Sequence, residues 1–128
     1  MGAASRLSHW PVQIRLVTPI APFLRGADLL VAADCTPIAY PNFHQDFLKG
    51  RAAMMGCPKF DDAEEYRRKF ADVFRSAEIK SVMVLVMQVP CCHGLPVIVG
   101  KGIEIADKRI PLEKVVISPW GDVLGKEK

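Results

Sequence analysis

The sequence predicts a single α/β domain, a mainly parallel sheet of four or five strands flanked by helices. Three observations carry this. Apolar β-type runs recur at Asp28–Ala33, Ala52–Gly56, Ser81–Val89 and Lys114–Ser118. Most of these runs are apolar throughout instead of alternating, which is the pattern of parallel strands covered on both faces. An amphipathic helical segment at 61–77 separates two of them. Alternating strands and helices require right-handed crossovers, giving a Rossmann-like or flavodoxin-like arrangement.

Taken in order, residues 1–11 read as a loose N-terminal arm. Val12–Val17 alternates apolar with polar, the signature of a short half-buried strand. Thr18-Pro19-Ile20-Ala21-Pro22 breaks regular structure, and Pro22–Gly26 fits one helical turn stopped by Gly26. After the Asp28–Ala33 strand, Asn42–Lys49 carries Phe43, Phe47 and Leu48 on one side. It reads as a short helix with Asn42 as N-cap and Gly50 beyond its end.

In the segment 61–77, Ala63, Tyr66, Phe70, Val73, Phe74 and Ala77 share one helical face. Asp61 with Glu64 three residues later resembles a capping box. Ser81–Val89 is the longest apolar run and therefore the central strand. A crossover helix is expected to start near Cys92, although Pro96, Gly100 and Gly102 all oppose helix. Lys114–Ser118 is a further strand, followed by a turn at Trp120-Gly121-Asp122.

The chain has 128 residues, 50% hydrophobic and 24% charged, which suits one globular domain. The net charge of +3 is weak. The basic triplet Arg67-Arg68-Lys69 follows Glu64 and Glu65, which can pair with Arg68 and Lys69 at i,i+4 on a solvated helix face. Nucleic-acid binding is not expected. No apolar run has the length of a membrane span or the form of a leader, so the expectation is a cytoplasmic protein without membrane association. Gly94-x5-Gly100-Lys101-Gly102 is one residue too long for a phosphate loop, and no Ser or Thr follows the Lys.

The four cysteines occupy comparable places. Cys35 follows the first apolar strand, Cys57 the second, and Cys91 and Cys92 the central one. Carboxyl ends of parallel strands line a common crevice, so thiols remote in sequence are expected to meet there. In a reducing compartment such thiols are more often ligands or redox groups than disulfides. Thiolates suit iron–sulfur clusters and soft metals. Strand-to-helix turns also offer N–H donors and a helix dipole that favour thiolate. Adjacent residues point apart, so three thiolates, with Cys91 or Cys92 as the third, are the expected set. His44, His93 and Asp34 are candidates to support the ligands; for the two histidines the ordinary surface reading leads, and Asp34 is equally readable as a cap of the following turn. His9 reads as incidental.

The strings HWPVQIRL (9–16), GADLLVAADCTPIAYPNFHQDFLKG (26–50), GCPKFDD (56–62) and VPCCHGL (89–95) resemble an iron–sulfur domain family of anaerobic bacteria and archaea. In that family the domain commonly follows a ferredoxin module. The resemblance runs from about His9 to Ser118. It implies anaerobic redox metabolism and a [4Fe-4S] or related cluster on Cys35, Cys57, Cys91 and Cys92. The ferredoxin motif Cys-x2-Cys-x2-Cys is absent from this chain, so the implied electron partner is a separate protein such as a ferredoxin. The chain also departs from the family around His93.

Three functions compete on these residues. They are an iron–sulfur redox protein, a zinc-binding structural or interaction domain on the same thiols, and a metal-free thiol enzyme with Cys35 or Cys57 as nucleophile and His44 as base. A homodimer contact through the Trp10 arm and apolar termini is a further expectation.

Overall fold

The computed structural model describes residues 4–90 and 93–127. Five strands form one sheet: β1 (Asp28–Ala33), β2 (Ala52–Gly56), β3 (Ser81–Met87), β4 (Leu112–Ile117) and β5 (Val123–Glu127). Their spatial order is β2-β1-β3-β4-β5. The first four are parallel, and β5 returns antiparallel to β4. The predicted Rossmann-like or flavodoxin-like α/β class is therefore correct. Among the described residues no helix is long and apolar enough to cross a membrane.

β1 and β3 form the centre. Leu29, Leu30, Val31, Val84 and Leu85 are fully buried because helices or turns cover both faces. Each such leucine contributes about 1.5–3 kcal/mol relative to exposure. The β1–β2 connection contains α1 (Thr36–Ala39) and a π-helical turn (His44–Leu48). It packs Pro37, Phe43 and Leu48 toward Ala53 and Met55. The β2–β3 connection contains α2 (Ala63–Ser76), which sits on the opposite face, where the Tyr66 hydroxyl lies over Gly56. Side chains of successive strand residues point to opposite faces, so Met55 and Gly56 report the two sides.

α3 (Gly94–Ile105) follows β3, as expected. Pro96 falls in its first turn, where an amide hydrogen has no helical partner to lose. Gly102 is required by packing. A Cβ there would stand 2.7 Å from Phe70 Cβ and 3.2 Å from the Ala71 backbone nitrogen, so α2 and α3 approach over bare backbone.

Four sequence expectations are corrected. Val12–Val17 is not a strand. Gln13 makes an isolated parallel bridge to Met55, and the chain then turns, with Leu16 and Val17 amides both bonding the Gln13 carbonyl. The buried residues are Ile14 and Val17, a turn spacing that mimics alternation over so few residues. The cap of α2 is Asp62, whose side chain accepts from the Glu64 amide at 2.8 Å, and not Asp61. Asn42 is not the cap of the π-turn. Phe43 precedes that turn, and the Asn42 side chain donates to Asp46 at 2.9 Å. Lys69 does not pair with Glu65. Its ammonium donates to the Val17 carbonyl at 2.6 Å and fixes the turn before the 3-10 segment Pro22–Leu24.

The arm is tied down at its end. The Ala53 amide donates to His9 Nε2 at 2.8 Å, and His9 stacks on Phe23 at 3.9 Å. With the Val12 and Ile14 backbone bonds to Met55, this covers the outer edge of β2. His9 is thus structural.

Candidate functional site

The chain leaves β1 toward β2 and leaves β3 toward β4, on opposite sides. This reversal opens a crevice at the carboxyl ends of β1 and β3, the place where open α/β sheets bind ligands. A cavity of about 450 Å³ lies there, lined by Asp34, Cys35, Ile38, Ala39, Met87, Pro119 and Trp120.

Local structure fixes each wall. The buried Thr36 hydroxyl donates to the Ala33 carbonyl at 2.8 Å, which tightens the turn carrying Asp34 and Cys35. The Cys35 carbonyl accepts the Ala39 amide at 3.0 Å and starts α1. Across the crevice, the Ser118 hydroxyl accepts from the Trp120 and Asp122 amides at 3.2 and 3.1 Å. Gly121 has φ +90, and a Cβ there would stand 2.8 Å from the Ala39 carbonyl oxygen. The Trp120 loop is therefore seated on the end of α1 by a contact that only glycine allows. Ile38 and Trp120 remain 89% and 84% exposed, so they form the crevice mouth.

Cys35 is exposed in this wall, and Cys57 is buried at the next strand end. Ala33 pairs with Gly56, so the chain positions just beyond, Asp34-Cys35 and Cys57, are neighbours on one edge of the sheet. The Cys57 amide donates to the Tyr66 hydroxyl at 3.1 Å, and that hydroxyl donates in turn to Asp61. Burial, then the Asp61 carboxylate, pushes the Tyr66 phenol well above its ordinary range. Arg15 sits 3.6 Å from Asp61. Asp34 is held above the usual carboxylate value, first by desolvation and further by Asp61, with the Gln13 side chain opposing.

Other predicted residues stand elsewhere. His44 is exposed, and its Nδ1 accepts from the Arg6 amide at 3.1 Å. It lines a separate cavity with Ala4, Ser5, Pro41, Asn42 and Gln45. His93 is exposed immediately before α3 and makes no side-chain capping bond. Cys57 does not open a helix, since α2 begins only at Ala63. Cys91 and Cys92 lie outside the described residues. Among the described residues, no three His, Cys, Asp or Glu side chains are grouped to hold a metal ion.

Sequence reasoning missed Ile38, Met87, Pro119 and Trp120. A signal was available for one of them, because tryptophan in a polar turn after a strand has no core to enter. It also read Tyr66 only as an apolar residue, although a buried phenol needs a hydrogen-bond partner.

These features define a doubly wound α/β domain with a ligand-sized crevice at its switch point. The β1–α1 turn, Asp34-Cys35-Thr36-Pro37, has none of the glycines that let a dinucleotide pyrophosphate approach the backbone. The chain belongs to the Rossmann-like domain family, whose model matches residues 21–128. It is also 33% identical over 117 residues to an uncharacterized protein of Archaeoglobus fulgidus, covering 91% of this chain and 82% of that protein. No solved structure gives a significant match.

Proposed function

We propose that the protein is a small redox protein whose cysteines hold an iron–sulfur centre at the carboxyl edge of the sheet. The observation that carries this is the placement of Cys35 and Cys57 after two directly paired parallel strands. The chain beyond β3, the other neighbour of β1, supplies Cys91 and Cys92 four and five residues after Met87. The donor set is wholly thiol, which suits a cluster or a soft metal. The sequence resemblance to an iron–sulfur domain family supports the same reading.

In this reading Cys35, Cys57 and one or both of Cys91 and Cys92 are the ligands. An iron–sulfur cluster would supply one-electron transfer at the crevice wall. Tyr66 would hold the Cys57 backbone in place through its amide, and Asp61 would orient Tyr66. Thr36 would fix the Cys35 turn. Electrons would pass to or from a separate ferredoxin-type protein.

Anaerobically purified protein is expected to be brown, with iron and acid-labile sulfide in stoichiometric amounts. A preparation that stays colourless after anaerobic reconstitution contradicts the proposal. Stoichiometric zinc without sulfide under the same handling assigns the thiols to a structural zinc site instead.

A further inference from the structure

The crevice has a chemical character of its own. Ile38, Ala39, Met87 and Pro119 make its walls apolar, Trp120 offers an aromatic surface, and Asp34 is the one charged side chain among the described lining residues. No Lys, Arg or His is among those residues. At about 450 Å³ the volume falls within the range of about 300–1,000 Å³ typical of small-molecule sites. Two large apolar side chains, Ile38 and Trp120, are kept exposed at its mouth on backbone pinned by Ser118 and Gly121. Exposed apolar groups held rigidly around a concavity mark a binding surface.

We infer that the crevice binds a small organic cation with a flat apolar ring, such as an arylmethylamine or a benzamidine, with its charged group at Asp34 and its ring against Trp120 and Ile38. The ligand's charge selects itself by complementarity. A carboxylate with no basic side chain among the described lining residues attracts a cation and repels phosphates and carboxylates. The indole face offers the ligand's ring an aromatic surface to stack on. Apolar walls favour a ring over a hydrated polar molecule. This deepens the redox reading by naming the substrate class beside Cys35, and it rests on that reading only for the chemistry, not for binding.

The test is a fluorescence titration of metal-free Trp10→Phe protein at pH 7.5, in which Trp120 is the sole indole. The probes are benzylamine, its neutral isostere benzyl alcohol, and benzoate. Benzylamine is expected to quench saturably and to bind about tenfold or more tightly than benzyl alcohol, the effect of one charge-assisted hydrogen bond, with benzoate weakest. Asp34→Asn is expected to erase the gap between benzylamine and benzyl alcohol, and Ile38→Ala to weaken both. Unsaturable quenching by benzylamine, benzoate binding as well as benzylamine, or a gap that survives in Asp34→Asn overturns the inference. Circular dichroism confirms that each variant is folded. Iron and sulfide assays on separate anaerobic preparations keep failure of the cluster reading distinct from failure of this one.

Discussion

The Tyr66 hydroxyl accepts the Cys57 amide at 3.1 Å and so joins the first turn of α2 to the end of β2. Gly56 makes the approach possible, because a Cβ there would fall 2.1 Å from the hydroxyl oxygen. The same hydroxyl donates to Asp61. Tyr66→Phe removes one partner from a buried amide and one from a carboxylate. It is expected to lower stability by about 1–3 kcal/mol, read as a lower urea midpoint with an unchanged slope. No measurable shift would mean that the hydroxyl is not holding the end of β2.

Two glycines of α3 should respond with opposite signs. Gly102→Ala forces a methyl group against Phe70 and the α2 backbone, at a cost of about 1–3 kcal/mol. Gly100 has open space where its Cβ would stand, and Gly100→Ala should stabilise by about 0.5–1 kcal/mol through helix propensity. Thermal or urea unfolding of the two variants checks the pair. Equal effects would contradict the close α2–α3 approach.

Gly121→Ala combines a positive-φ penalty with a clash against the Ala39 carbonyl. A loss of about 1–3 kcal/mol is expected. The same change should shift Trp120 emission in Trp10→Phe protein, because the loop must lift off α1. Unchanged stability and emission would show that the loop does not rest there.

His9 gives a pH dependence with a definite sign. Burial lowers its pKa, and its Nε2 must be neutral to accept the Ala53 amide. The unfolded chain therefore binds the proton more readily, so stability rises with pH across this interval. The contribution is complete above the unfolded value of about 6.5 and is lost as pH falls from there through the lower folded value. Denaturant unfolding at pH 5.0 and 7.5 should show a larger acid loss for wild type than for His9→Gln, which retains an acceptor. Parallel losses would remove His9 from the account.

Much of the fold was legible because burial leaves compositional marks. After their first residues, Asp28 and Ser81, β1 and β3 are unbroken apolar runs since both faces are covered, and α2 shows its buried face through Tyr66, Phe70, Val73 and Phe74. β5 was not legible. It is an exposed edge strand reading Val-Leu-Gly-Lys-Glu, with no buried face to impose a pattern. α1 has only four residues, too few to show helical periodicity. The cap was misplaced by one residue because Asp61 and Asp62 are adjacent, and only geometry separates the one that bonds the helix from the one that bonds Tyr66.

The candidate site was legible in part. The strand-end positions of Cys35 and Cys57 followed from the apolar runs before them. The far wall at Pro119 and Trp120 did not, because it depends on β4 lying beside β3, and sequence order alone does not place it there. His44 lies near Cys35 in sequence, yet the π-turn carries it to the Arg6 segment.

The central claim is that cysteines from successive strand ends share one inorganic centre. The most direct measurement is iron and acid-labile sulfide per chain in anaerobically reconstituted wild type, Cys35→Ala and Cys57→Ala, each confirmed folded. Full loading of wild type with loss of most iron and sulfide in both variants is the predicted result. Full iron content in both variants, or none in wild type, would contradict it.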